Sequence, residues 1–493
     1  MQLTKRHIPY APDPLSLYEL VHHRHPGTFL LESADITTKQ GEMSLVGVRA
    51  CLDMTCRGNR VRIRSHNPLG TQIAATIHER LSAFSDGQEL FFPEIDANAE
   101  EVQRLLTQSP ISVLRAALNL GTEDRTLIAG TFAYDFIDTY EHLPRPEHDA
   151  LAFPDYHFVL PDLFIEIHHQ KQATQIYHLS SESEDYELLG ALEDTCRKAR
   201  DMRPRNAVLP GVQPVTCDVD DVTYQSWVSQ LKQNIIAGDI FQAVPSRTYT
   251  VPCEDPLGAY ARLRQSNPSP YMFVFDTPSG VLLGASPETA VKVSGNPHKV
   301  EIRPIAGTKP RGFAADGSID RDLDTRLEAE LRLDEKELAE HLMLIDLARN
   351  DIARVSKPGT RFVPKILTVD RYAHVMHLVS YVEGELRDEF DALHAYVACM
   401  NMGTLVGAPK IKAASLLRQL ERTKRGPYGG AVGYLTSDGE MDTAIAIRSA
   451  FVRNGYAYVR AGAGVVFDSD PEEESLETQR KARAVIRALG GEL

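Results

Sequence analysis

Two apolar runs near the C-terminal end, TAIAIRSAFV and YAYVRAGAGVVF, are separated by Asn454-Gly455. Asn-Gly is the strongest short-range signal for a tight turn whose central residues need positive φ, so the runs are predicted to fold back as an antiparallel hairpin. YMFVFDTPSGVLLGAS repeats the pattern around a Pro/Gly turn. Helices are interleaved with these strands. SWVSQLKQNIIAGDIFQAV begins as an amphipathic helix, with Trp227, Leu231 and Ile235 at i, i+4, i+8 and Gly238 as its C-cap. A second helix covers about 184–202, and the last opens with Asp470, Pro471 and Glu473 at N-cap, N1 and N3. Long strands with inserted helices, and no repeating βαβ unit, predict an α+β fold with antiparallel sheets flanked by helices.

Two of the predicted helices each set a pair of glutamates three residues apart, Glu337 with Glu340 in DEKELAEHLMLIDLARND and Glu474 with Glu477 in DPEEESLETQRKARAVIRAL. Spacing i, i+3 puts both carboxylates of a pair on one face. The first helix is apolar around much of its circumference (Leu338, Leu342, Leu344, Ile345, Leu347), so it is predicted to be buried, where a carboxylate needs a partner. Converging carboxylates suit a hard divalent cation such as Mg2+. Charged pairs at helical spacing equally make solvated faces, and spacing alone does not choose.

Other candidates are open in the same way. Gly462 and Gly464 share parity in a predicted strand over 456–467, which leaves room for a flat ligand or marks a bulge. Arg448 sits in an otherwise apolar strand and needs an anion, either a protein carboxylate or a substrate carboxylate gripped by the planar guanidinium. Tyr428, before a Gly pair, offers a hydroxyl or packs in the core. His377, with His374 nearby, is a catalyst or a satisfied core residue. Gly307 and Thr308 in RPIAGTKPRG form a turn whose backbone and hydroxyl can meet a ligand.

The 493 residues are 43% hydrophobic, ample for a core, and the net charge of −15 argues against a nucleic-acid or anionic-membrane partner. Six cysteines without a CxxC pair are expected to be reduced thiols. MQLTKRHIPYAPDPL lacks the apolar core of a signal peptide and no run approaches a membrane span, so a cytoplasmic protein is expected. RPRNAVLPGVQPVTCD, residues 203–218, reads as a linker between 1–202 and 219–493.

Taken together, PIAGTKPRG, ELAEHLMLIDLARND, VMHLVSYVEGEL, CMNMGTLVGAPK, YGGAVGY and AGAGVVFDSDPEEESLET resemble the chorismate-utilising enzymes, and among them the anthranilate synthase large subunits. The match is dense from about residue 220 onward and looser before it. The resemblance implies two intertwined subdomains with an active-site cleft, a catalytic region over 219–493 and a tryptophan-binding regulatory region over 1–202 that packs on it. Glu340 and Glu477 match the family's Mg2+ ligands, supported by Glu337 and Glu474, with the cation on the ring carboxylate of chorismate. Arg448, Tyr428 and the backbone of Gly462, Ala463 and Gly464 match positions that hold the enolpyruvyl side chain. Gly307 and Thr308 match the turn against the ring, and Thr308 lies near incoming ammonia. His377 matches the histidine linked to pyruvate elimination, and Glu337 is the candidate acid for the departing C4 hydroxyl.

Two positions separate the relatives. Aminodeoxychorismate synthases carry PIKGT with a nucleophilic lysine, whereas this chain has Ala306. Isochorismate and salicylate synthases carry a water-activating lysine where this chain has Gln242, a poor base. Both differences point to ammonia addition at C2, giving aminodeoxyisochorismate and then anthranilate and pyruvate. No G-x-C-x-G setting for a glutaminase nucleophile is present, so ammonia is expected from a separate amidotransferase subunit or from solution, and the resemblance implies component II as that subunit, in a heterotetramer. The resemblance further implies feedback inhibition by tryptophan bound between Ser33 and Pro270, Tyr271 and Met272, with Met43 where some relatives carry Lys. The alternatives are an aminodeoxyisochorismate synthase without lyase activity, or a non-catalytic regulatory protein that binds chorismate or tryptophan.

Overall fold

A computed structural model describes the chain except residues 23, 35–40, 97, 121–124, 182–185, 203–204, 206–207 and 373–374. His374 and part of the 203–218 stretch therefore lie outside the described residues. Both predicted hairpins form. Tyr271–Thr277 pairs with Gly280–Ser286, and Ser449–Arg453 pairs with Tyr456–Gly462 around Asn454 and Gly455, both at positive φ. The helix Asp221–Ile236 ends just before Gly238, which takes φ +82°, and Tyr186–Asp201 accounts for the helix expected near 184–202. In the last helix, Pro471–Ala488, the Asp470 carboxylate accepts the N–H groups of Glu472 and Glu473.

Three expectations are corrected. TAIAIRSAFV is not one strand: Met441–Ile445 ends before Ser449–Arg453 begins, and Arg448 between them adopts φ +49°. The strand from Tyr456 ends at Gly462, so Gly464 lies beyond it and the parity argument does not hold. The helix Glu335–Ala353 buries His341, Leu344, Ile345, Ala348 and Ile352 on one side, while Leu342 is 47% exposed, so it is half-buried rather than enclosed.

Among the described residues twenty-one strands join in one hydrogen-bonded network. Every pairing between named strands of the described residues is antiparallel, which gives the expected α+β class. Phe29–Ala34 pairs with Tyr271–Thr277, and Leu127–Phe132 pairs with Ala431–Thr436. The first 200 residues are thus stitched edge to edge into the rest. One large core runs under both parts, from Phe29 and Phe158 to Phe273, Ile345 and Tyr396. A second core brings Leu17 and Val46 together with Leu283 and Val485. Burial shared in this way ties the helices Glu335–Ala353 and Pro471–Ala488 to a common sheet, so their glutamates face one space.

Candidate active site

That space is a cleft of about 690 Å³. It is lined by Gln242, Glu288, Ala306, Gly307, Thr308, Glu337, Glu340, His377, Thr404, Tyr428, Arg448, Gly462, Gly464, Glu474, Glu477 and Lys481. The side chains that sequence singled out for chemistry are therefore brought together. Ala463 is the exception: it is fully buried, and its N–H is bonded to the Pro245 carbonyl and the Tyr224 hydroxyl.

The turn at Gly307 is a bulge. Ala306 pairs with Leu378 and Thr308 with His377, which leaves Gly307 as the extra residue at φ +72°. A Cβ there would stand 3.1 Å from a Glu337 oxygen, a contact a small side-chain shift relieves, so it is the conformation that favours glycine. The bulge places the Gly307 carbonyl 3.2 Å, and the Thr308 hydroxyl 2.9 Å, from His377 Nδ1. Burial drives His377 down to about 4, so its imidazole is neutral at pH 7. A proton on Nδ1 satisfies the Gly307 carbonyl and leaves the lone pair on Nε2.

Among the glutamates, burial together with Glu340 and Asp334 pushes Glu337 up to about 7. Burial also raises Glu340, against Lys481 and the Gln242 amide, whose Nε2 donates to Glu340 at 2.7 Å. Glu474 is raised by burial and accepts from Ser469 at 2.7 Å. The Gln242 side-chain oxygen is buried without a partner. Crowded carboxyls that rise in this way are short of positive charge, and an all-oxygen donor set is what Mg2+ prefers. Among the described residues no three His, Cys, Asp or Glu stand close enough to cage an ion. A site of one or two carboxylates completed by water and substrate oxygens is the arrangement Mg2+ takes.

In the same cleft Arg448 donates to the Lys481 carbonyl. Burial lowers its pKa, against Glu477 and Tyr428. Among the described residues no carboxylate lies within ion-pair distance of its guanidinium. Of the two anions left open by sequence, the protein carboxylate is therefore not supplied. Lys481 adds a second cation, 3.2 Å from the Gly462 carbonyl and 3.6 Å from Glu477. Gly462 is tightly enclosed, since an added Cβ would fall 2.5 Å from the Pro245 carbonyl and 3.1 Å from the Tyr428 hydroxyl. Over Gly464 the free space is taken by the Gln242 amide, 2.7 Å from such a Cβ.

The family of chorismate binding enzymes matches residues 59–487. This chain belongs to that family. It is 44% identical to anthranilate synthase component 1 of Haemophilus influenzae over 99% of this chain and 96% of that one. It is 45% identical to the Salmonella typhimurium component 1, covering 97% and 95%. The crystal structure of anthranilate synthase component I from Streptococcus pneumoniae superposes with a TM-score of 0.71 at 29% identity, covering 90% of this chain and 92% of that one. The menaquinone-specific isochorismate synthase of Escherichia coli shares the fold, with a TM-score of 0.65 at 18% identity, covering 99% and 94%.

Two cleft residues of this chorismate-binding enzyme escaped the sequence reading. Glu288 is 6% exposed, accepts from Thr404 at 3.0 Å, and is pushed up to about 8 by burial. A lone carboxylate in the apolar context LLGASPETAVKV carries the same signal that singled out Arg448. Lys481 could have been found by spacing, for Glu474, Glu477 and Lys481 at i, i+3, i+7 share one helix face.

A second, smaller pocket of about 40 Å³ is lined by Ser33, Met43, Leu45, Tyr271, Met272, Tyr434 and Asp442. Ser33 pairs with Tyr271 on one side and Met43 on the other, and the Pro270 carbonyl accepts the Ala34 N–H. The expected effector residues thus adjoin one pocket. No helix among the described residues is long and apolar enough to cross a membrane.

Proposed function

We propose that this enzyme is the chorismate-converting subunit of an anthranilate synthase, adding ammonia at C2 of chorismate, releasing the C4 hydroxyl as water, and then eliminating pyruvate to give anthranilate. The observation that carries the reading is a cleft that brings a buried Arg448, with no carboxylate at ion-pair distance among the described residues, together with Glu337, Glu340, Glu474 and Glu477, in a chain 44% identical over 99% of its length to anthranilate synthase component 1. Such a cleft fits a substrate with two carboxylates, one for the Arg448 guanidinium, the other for a cation held by Glu340 and Glu477. When bound, Mg2+ supplies Lewis-acid polarisation of the ring carboxylate.

The chain's own groups account for the remaining steps. The Gln242 oxygen, buried and unpartnered, is an acceptor for an ammonia N–H and has no basicity to activate water. Ala306 offers no nucleophile. Of the two carboxyls raised into the neutral range, Glu337 owes part of its rise to Glu340, whereas Glu288 owes its rise to burial alone. Glu288, raised to about 8 by burial, carries a proton for the departing hydroxyl, and Glu337 lines the same cleft. His377 Nε2 takes the C2 proton, and the gain of aromaticity drives pyruvate out. Ammonia comes from a separate glutamine amidotransferase, component II, in a cytoplasmic heterotetramer. The test is anthranilate fluorescence and pyruvate release with chorismate, Mg2+ and ammonium. An amino product without pyruvate removes the lyase half, and no turnover overturns the reading. Glu340→Ala is expected to fold and to raise the Mg2+ needed for half-maximal rate by more than about tenfold; an unchanged requirement takes Glu340 out of the cation site.

Tryptophan is proposed as the effector of the second pocket, whose 40 Å³ holds only roughly three waters. An indole needs more room than this, and Met43, which lines the pocket with an unbranched flexible side chain, is the proposed obstruction. Met43→Ala should therefore lower the tryptophan concentration for half-inhibition about fivefold, near 1 kcal/mol; an unchanged value would exclude Met43 as the obstruction.

A further inference from the structure

Beside Tyr428 and Gly462 lies a buried Arg–Glu–Arg cluster of which only Arg460 reaches the lining of the cleft. Glu421 ends the helix Lys410–Glu421, and its side chain and that of Arg425 are each 2% exposed; that of Arg460 is 7% exposed. The two Glu421 oxygens accept five hydrogen bonds. Arg425 donates through Nε at 2.9 Å and Nη2 at 2.7 Å, Ser246 through its N–H and its hydroxyl at 2.8 Å each, and Arg460 through Nη2 at 2.8 Å. Burial alone would raise this carboxyl, but Arg425 and Arg460 outweigh it and hold it below the usual range.

The remaining donors reach outward. Arg425 donates to the Leu405 carbonyl at 2.8 Å and the Val244 carbonyl at 2.7 Å, and its guanidinium lies 4.5 Å from the Tyr134 ring and 5.9 Å from that of Tyr428. Arg460 donates to the Ser246 hydroxyl at 2.8 Å. One carboxylate therefore ties together four chain segments, and each supplies the cleft with a neighbouring residue: Gln242 and Val244, Thr404 and Leu405, Tyr428, and Gly462. Two guanidiniums on one carboxylate also leave a positive charge beside the cleft.

A buried ion cluster is weak evidence for stability, because apolar replacements of the same volume do as well or better. What apolar side chains cannot supply is directional bonds that fix four segments against one another. We propose that Glu421, Arg425 and Arg460 are positioning residues that hold the Gln242, Thr404, Tyr428 and Gly462 segments in register around the substrate's anionic side chain. The proposal rests on the chorismate reading. Displacement of a binding wall by about 1 Å costs on the order of 10²-fold in rate.

Arg460→Met leaves Glu421 and Arg425 as a neutral bidentate pair and is the variant expected to fold. Its KM for chorismate should rise at least about tenfold and its kcat/KM fall about 10²-fold, while the melting temperature stays within a few degrees. Arg460→Lys, which restores charge but not the fork, should recover only part of this. Glu421→Gln, which keeps an acceptor for Ser246, is the second variant and should shift KM in the same direction wherever it folds. If the cluster serves folding alone, the variants lose active protein, so kcat falls while KM stays at its wild-type value. That result in Arg460→Met overturns the proposal. A wild-type enzyme that gives no anthranilate overturns the chorismate reading itself, and this proposal with it.

Discussion

Glu288→Gln is expected to lower kcat by roughly 10²–10⁴-fold, the range for removal of a general acid, and at the same time to make the enzyme more stable at alkaline pH. The carboxyl is raised to about 8 by burial, against an ordinary value of 4.5. The sign follows from that direction. Below about pH 4.5 both folded and unfolded chains carry the proton, and this group's contribution to stability is fully present. As pH rises toward 8 the unfolded chain loses the proton while the folded one holds it, and the contribution is lost progressively. The loss amounts to on the order of 5 kcal/mol once both forms are ionised. Glutamine carries no such cost, so at pH 8.5 the variant should melt a few degrees above the parent. The difference should shrink toward pH 5. With free ammonia held constant, the parent's rate should fall above about pH 8 as Glu288 loses its proton. A glutamine variant within tenfold of the parental kcat would remove Glu288 from the proton transfer and return the role to Glu337.

The contrast between Glu288 and the paired glutamates shows what a single sequence can disclose. Glu337, Glu340, Glu474 and Glu477 were visible because helical spacing places them on faces, and Arg448 because a charge in an apolar run has to be answered. Asn454-Gly455 and Asp470-Pro471 were visible because turns and caps are written in local chemistry. Glu288 is a single residue at the end of a strand, and its environment comes from Thr404, Ile305 and Lys481, all remote in sequence. The pairing of Ser33 with Tyr271, and of Phe132 with Ala431, likewise has no local signature, since an edge strand does not announce its partner. The break at Arg448 escaped for another reason: apolar residues on both sides continue the strand pattern, and only the φ of +49° shows the interruption. That interruption matters chemically, because an unbroken strand would have passed Arg448 through the sheet in register with Ile447 and Ser449.

Arg448→Met should be the most damaging change to substrate binding, raising KM for chorismate by on the order of 10²–10³-fold with a smaller effect on kcat. Truncating one member of a buried charge pair costs about 2–5 kcal/mol, and here the partner is the substrate's own carboxylate. Without substrate the guanidinium is buried, its pKa is lowered by that burial, and it meets no carboxylate among the described residues. The empty enzyme therefore carries a desolvated cation at a cost in stability, and methionine, of similar length and without charge, removes that cost. The variant should melt higher than the parent while binding chorismate poorly, and chorismate should raise its melting temperature much less than it raises the parent's. Arg448→Lys keeps the charge but not the planar fork, so it should recover no more than about tenfold of the lost affinity. The Lys481 carbonyl, which accepts from Arg448, would still orient the ammonium. If Arg448→Met keeps the parental KM, the substrate's carboxylate is held elsewhere, with Lys481 and Arg460 among the other cations that line the cleft.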